Sequence, residues 1–260
     1  ADTGLERGLR ERELADQITV PFCPESELSG IGCVDFMDAV WYRRQVPIPD
    51  NWAGCDVLLH FQAVDYDTTV WVNGTQVGEH RGGFTPITCD LAGVAGPGQT
   101  ATLVVRARDH KMQNKPRGKQ SNRYENHRCV YTRTTGIWQT VWMEPVPRVH
   151  LGRPRVVPDV AGGRFLLTQP ITNSRAGTQL RAVLSDDQGE VCRVERPADG
   201  DFTPQLTLDI PEARRRLWSP ADPHLYDLAI ELLDADGEVL GRVASYAGLR
   251  SVTIDGQAVK

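Results

Sequence analysis

The chain reads as all-β, two sandwiches in series, and three observations carry that reading. Asn73-Gly74 stands between the β-prone runs Val70-Trp71-Val72 and Thr75-Gln76-Val77. Both central residues of a type I′ hairpin turn need a positive φ, which Asn and Gly supply at least cost. Elsewhere apolar and polar residues alternate in short runs, and the chain sustains no helical period. The 24 glycines and 17 prolines mostly punctuate those runs, and Pro145 with Pro147 divides them into two series.

Residues 1–20 mix charge with small apolar residues and no sustained period, so an irregular, surface-following entry segment is expected before Pro21 and Pro24. Val40 to Val46 is rich in β-formers and is closed by Pro47, Pro49 and Asp50-Asn51. Val57, Leu59, Phe61 and Ala63 then alternate with Leu58, His60 and Gln62, which turns one apolar face to a core. His60 belongs to the other face, where an imidazole is ordinarily solvated or hydrogen-bonded. After the hairpin, Arg81-Gly82-Gly83-Phe84-Thr85-Pro86 forces the chain to reverse or change sheets. Thr102 to Arg108 is a strand with Leu103, Val105 and Ala107 inward and Arg106 and Arg108 on the opposite face. Trp138 to Met143 is another, with Trp138 and Trp142 on one face. Such a pair can stack on a sugar ring or, more commonly, pack a core.

From Val149 the second series predicts strands at 164–169, 180–185, 190–195, 205–210, 225–233 and 238–245, punctuated by Asp187-Gln188-Gly189 and Ala235-Asp236-Gly237. That spacing suits an immunoglobulin-type sandwich, without the Cys…Trp…Cys core of antibody domains. Only Pro211 to Leu217 can form a helical turn. The last ten residues, SVTIDGQAVK, run out in a turn.

A net charge of −5 with 40% hydrophobic and 24% charged residues argues for a soluble globular chain, with no nucleic acid and no membrane surface as partner. No run approaches the ~18 apolar residues of a membrane span, and the first residues lack a signal peptide's apolar core. The cysteines (23, 33, 55, 89, 129 and 192) are widely spread, with no spacing that suits a metal. They read as free thiols of a cytoplasmic protein, with a Cys23–Cys33 disulfide as the minor alternative. No cofactor and no metal site is expected. Asn73-Gly74-Thr75 matches a glycosylation acceptor, but its place in a two-residue turn already explains the Asn.

Hydrolysis by a carboxylate pair needs the two groups facing each other across the scissile bond. Asp35 with Asp38, Asp65 with Asp67 and Asp186 with Asp187 are close in sequence. Asp65 and Asp67 would lie side by side on one strand face, and Asp186-Asp187 opens a hairpin turn, so no catalytic pair is expected. The segment from Asp109 to Thr135 is longer than the ~12–15 residues of ordinary connections, which makes it either functional or a flexible solvated loop. Its first part sets Lys111, Lys115, Arg117, Lys119, Arg123 and Arg128 against only Asp109 and Glu125.

VWVNG, then GGFTP, then TTGIWQTVWMEPVP at 134–147, resemble in order and spacing the N-terminal sugar-binding domain of family 2 glycoside hydrolases. LWSP at 217–220 with DPHLY at 222–226 resembles the end of the immunoglobulin-like domain that follows in those enzymes. The resemblance implies a jelly-roll β-sandwich of galactose-binding type over residues 1–148, an immunoglobulin-like β-sandwich over 149–250, and at 251–260 the start of a linker to a (β/α)₈ catalytic barrel that this sequence does not contain. The first strand that family members carry, of the form W-x-F, is absent. The resemblance further implies a retaining glycosidase parent of β-galactosidase or β-glucuronidase type acting on a β-glycoside, with the long loop reaching the barrel's mouth. There Asp109, Arg117, Lys119 and Gln120 are the candidate carbohydrate-binding residues, and none is catalytic. The basic loop would suit an acidic barrel rim or a uronate equally. A homo-oligomer is left open, and the rival functions are a stand-alone carbohydrate-binding module and a spacer of adhesion type.

Overall fold

A computed structural model describes residues 3–200 and 202–259. Strand accounts for 45% and helix for 5%, as the period-2 pattern predicts. Two compact units divide the chain, Ala1–Val146 and Pro147–Lys260.

In the first unit the strands are β1 (Ala39–Pro47), β2 (Asp56–Phe61), β3 (Val64–Asp65), β4 (Asp67–Val72), β5 (Thr75–Arg81), β6 (Ile87–Asp90), β7 (Thr100–Arg108), β8 (Gly136–Ile137) and β9 (Val141–Val146). They form a four-stranded sheet β1-β7-β4-β5, a three-stranded sheet β6-β2-β9 and a short pair β3-β8. Val57, Leu59 and Phe61 of β2 share one core with Val70 and Val72 of β4 and with Val105 and Ala107 of β7, so the two larger sheets close on each other as a sandwich. At the β4–β5 hairpin Asn73 and Gly74 have φ of 49° and 82°, the type I′ signature. The Asn73 side chain accepts from the Thr102 amide at 2.9 Å and donates to the Val94 carbonyl at 3.1 Å, so it is a structural bracket. Gly78, inside β5, is there because a Cβ would come within 2.5 Å of Cys89 Sγ.

Arg106 faces away from the core, as expected, and is itself buried, 8% exposed. Its guanidinium lies 5.8 Å from the Trp41 ring and 5.5 Å from the Trp71 ring and donates to Thr69 Oγ1 at 2.8 Å. The entry segment is irregular except for a short helix, Thr3–Glu6, and a Cβ on its Gly4 would meet the Trp41 indole nitrogen at 2.5 Å, so the helix covers this face. The expected strand from Trp138 to Met143 breaks: β8 stops at Ile137 and β9 starts at Val141. The cause is Trp138, whose indole N–H donates to the Gly83 carbonyl at 2.8 Å and whose ring meets Phe84 edge-on. Trp138 and Trp142 therefore share no strand face and form no platform. Trp142 stacks on His60, with ring centroids 4.1 Å apart, and His60 bonds to Thr88 and Glu144, each at 3.0 Å.

The second unit begins with β10 (His150–Leu151), β11 (Arg155–Asp159), β12 (Arg164–Thr168) and β13 (Ile171–Thr172). It continues with β14 (Gln179–Asp186), β15 (Gly189–Pro197), β16 (Gln205–Asp209), β17 (Tyr226–Leu233) and β18 (Val239–Ala247). Sheets β15-β14-β17-β18 and β11-β12-β16 pack Leu180, Ala182, Leu184, Leu228 and Ile230 against Phe165, Leu167 and Leu208. All six expected strands are present within two residues at either end. β11 was missed because Pro158 interrupts it, and it survives as the edge strand of its sheet, where a missing N–H costs least. Tyr226 donates its hydroxyl to the Arg214 carbonyl at 2.7 Å and accepts from the Arg216 amide at 2.8 Å. The two bonds tie the start of β17 to the segment that precedes it. Glu212–Arg214, which ends on the first of those partners, makes the expected helical turn, as a 3₁₀ helix. The final residues are more than a run-out: β19 (Ile254–Asp255) and β20 (Ala258–Val259) pair as a hairpin.

All six cysteines are free, so the Cys23–Cys33 disulfide does not form. None of the described helices is long and apolar enough to cross a membrane.

Candidate functional site

The connection between β7 and β8 is a built structure, which corrects the picture of a loop without order of its own. Asp109 follows β7 directly, and its amide donates to the Asp38 carbonyl at 3.0 Å. Its carboxylate is ion-paired with the Lys115 ammonium, and the two side chains are only 7% and 1% exposed. Lys115 also lies over the Tyr66 ring, 4.9 Å from its centroid. Burial pushes the Lys115 pKa down, helped by the Arg117 charge and opposed by Asp65 and Asp67.

Beneath this pair sits a second buried carboxylate. Asp65 is 1% exposed, its peptide to Tyr66 is cis, and it accepts from Gln120 Nε2 at 2.7 Å. Gln120 uses its other end as well, its Oε1 accepting from the Thr134 amide at 3.0 Å. Burial pushes the Asp65 pKa up, while the Gln120 hydrogen bond and the charges of Lys115 and Arg117 pull it down. Gly83 packs against this carboxylate, since a Cβ there would stand 2.9 Å from Asp65 Cγ.

Arg117 acts as a staple. Its guanidinium donates to the carbonyls of His110, Lys111 and Gln113 at 3.3, 3.1 and 3.0 Å, which closes the first turn of the loop on itself. The return half is held by Arg133, buried at 4% exposure, which donates to the Arg123 carbonyl at 2.7 Å and to the Val34 carbonyl. The Arg133 guanidinium carbon lies 3.9 Å from the Phe36 ring centroid and 6.0 Å from that of Tyr124. The Ser121 amide donates to the Tyr131 carbonyl and the Tyr131 amide to the Lys119 carbonyl, which brings the two halves together. The loop ends on Gly136, whose φ is +79° and whose absent Cβ would land on the Tyr42 hydroxyl. That hydroxyl accepts from the Ile137 amide at 3.1 Å, and burial drives its pKa upward.

The four candidate residues thus divide. Asp109 and Gln120 hold the loop through side-chain partners, the Asp109 carboxylate being buried against Lys115, while Arg117 holds it through backbone carbonyls and keeps its charge. Lys119 is exposed, its backbone amide fixed by the Tyr131 hydroxyl at 3.3 Å. The loop borders a broadly open cavity of about 580 Å³ whose wall includes Lys111, Lys115, Arg117 and Gln120. The sequence concealed Lys115, Asp65 and Arg133, since none stands in a recognisable motif with its partner. Elsewhere Asp67 lies 3.3 Å from Arg81, and Asp186 is ion-paired with Arg214.

Two family models match. Residues 33–143 match "Glycosyl hydrolases family 2, sugar binding domain" and residues 149–250 match "Glycosyl hydrolases family 2". A β-glucuronidase of Paenibacillus borealis is 27% identical over 236 residues, covering 85% of this chain and 38% of the relative. A β-galactosidase of Thermoanaerobacter pseudethanolicus is 26% identical over 232 residues, covering 84% of this chain and 29% of the relative. The chain therefore spans well under half the length of these curated relatives. Among solved structures, the β-glucuronidase of Ruminococcus gnavus in complex with D-glucaro 1,5-lactone superposes with a TM-score of 0.71 at 22% identity, over 100% of this chain and 44% of that one. The two family matches lie on either side of the division between the compact units and together span most of the chain: it belongs to glycosyl hydrolase family 2, with the sugar-binding domain in the first unit and the immunoglobulin-like domain in the second.

Proposed function

We propose that this chain is the non-catalytic front of a retaining β-glycosidase, in which the 109–135 loop walls one side of the substrate cleft of a barrel domain. What carries the reading is that the loop is pre-built. Two buried acid–partner contacts, Asp109 with Lys115 and Asp65 with Gln120, fix its stem, while Lys119 and the cavity mouth stay open to solvent. A wall that is rigid before substrate arrives loses little entropy on binding.

The substrate class, a β-glycoside, rests on what the named relatives are, and the barrel on how much longer they are. The test is turnover of aryl β-galactosides and β-glucuronides by the purified chain, compared with the full-length parent. The parent hydrolyses one of them and the chain none; turnover by the chain alone would refute the assignment. A stand-alone carbohydrate-binding module is the second reading, and the open cavity beside the loop is what favours it. Tight binding of a free neutral monosaccharide by this chain, millimolar or better, would select it.

A further inference from the structure

The loop cavity is lined in a way that a neutral sugar does not require. Arg117 is oriented by three backbone carbonyls, which fix the guanidinium without cancelling its charge. The Lys111 ammonium stands 3.7 Å over the Phe36 ring centroid, again oriented and still charged. Lys111 and Arg117 line the cavity together with His127 and the amides of Gln113, Asn114 and Asn122, and among the described residues no Asp or Glu does. The space, about 580 Å³, is broadly open to solvent.

Two aromatic side chains stand beside Gly118, on the wall of the cavity. Gly118 lines it, and a Cβ on Gly118 would lie 3.1 Å from the Tyr131 hydroxyl and 3.8 Å from the Phe84 ring. Phe84 and Tyr131 are 52% and 48% exposed, large values for aromatic side chains. Phe84 is braced from behind by Trp138, 6.0 Å away between centroids and edge-on.

Cations that keep their charge, amides and an open aromatic surface together describe one kind of ligand. A guanidinium and an ammonium favour a carboxylate or a sulfate ester, amides bond to hydroxyls, and an aromatic face takes the C–H face of a pyranose. We infer that the loop cavity is a subsite for an anionic saccharide unit, with the acidic group between Lys111 and Arg117 and the ring against Phe84 and Tyr131. This rests on the loop being a cleft wall only for where the unit sits along a substrate; binding itself belongs to this chain.

The experiment titrates the ¹⁵N-labelled 260-residue chain with digalacturonate, with galactose 6-sulfate and with neutral galactobiose, following amide shifts. The expected result is saturating shifts at Lys111, Gly118 and Asn122 with an acidic probe, weakened about fivefold between low and physiological salt, and no response to galactobiose. Response to the uronate alone or to the sulfate alone identifies the source of the anion. Equal response to galactobiose, or no response to either acidic probe, overturns the inference. Since Arg117 also holds the loop, the variants are Lys111→Gln and Phe84→Ala, each expected to weaken binding at least about threefold with an unchanged melting curve. Retained affinity in both variants is equally contradictory. No barrel takes part in this measurement, so its failure leaves the cleft-wall reading to be decided by kinetics of the parent.

Discussion

Asp109 and Lys115 form an ion pair inside the first unit, at the point where β7 gives way to the loop. Removing either partner strands the other's charge away from water.

Asp109→Ala should therefore destabilise the unit by about 3–5 kcal/mol, the usual consequence of leaving one member of a buried pair alone. Lys115→Met with Asp109→Leu should recover most of that loss, because both charges leave together. Urea denaturation of the two single variants and the double variant measures this. Additive losses would mean that the pair contributes nothing as a pair.

Asp65 makes a pH prediction. Its pKa is raised, first by burial, so the folded state holds the proton more tightly than the unfolded one. For such a group stability is greatest below the unfolded carboxylate value, and it falls as pH climbs from there through the raised folded value. Asp65→Asn keeps an acceptor for Gln120 Nε2 and removes the titration. The stability difference, variant minus wild type, should grow as pH rises from about 3.8 and then level off. A difference that stays flat from pH 3 to 7 would show that Asp65 titrates normally.

The second unit offers the opposite sign. Asp186 is held below its usual range by the Arg214 guanidinium, with help from the Gln188 amide. Its contribution is present above the unfolded carboxylate value and is lost as pH falls through the depressed folded one. Arg214→Gln should abolish that part of the acid sensitivity, read as the pH at which the unit's transition begins to drop.

Gly136→Ala should be among the most disruptive single-methyl changes in the first unit. It strains a φ of +79° and drives the new methyl into the Tyr42 hydroxyl, at a cost of at least about 1–3 kcal/mol. Tyr42→Phe in the same background should give some of it back. A Gly136→Ala melting curve equal to wild type would remove the steric account of this motif.

Where a relationship is local the sequence disclosed it. Asn73-Gly74 made its turn with both φ values positive, and the six alternating runs of the second unit all became strands, because period and turn chemistry act over neighbouring residues. Spans that depend on distant partners were misread. Trp138 leaves its strand for a carbonyl 55 residues earlier. Asp65 is bonded to Gln120, 55 residues away. The loop looked unstructured because side chains meeting backbone carbonyls, as Arg117 and Arg133 do, leave no periodic trace. The unusual length and basic charge of the 109–135 stretch were legible in the sequence. Which of its residues face outward was hidden, since charge alone does not reveal whether a side chain is spent within the fold.

The central claim is that this folded loop serves a substrate cleft supplied by the rest of a family 2 enzyme. Lys119 is the candidate that remains exposed, so kcat/KM of the full-length parent carrying Lys119→Ala tests it most directly. The account predicts a fall of at least about tenfold with an unchanged melting temperature. Unaltered kcat/KM across the aryl β-glycosides that the parent hydrolyses would contradict it.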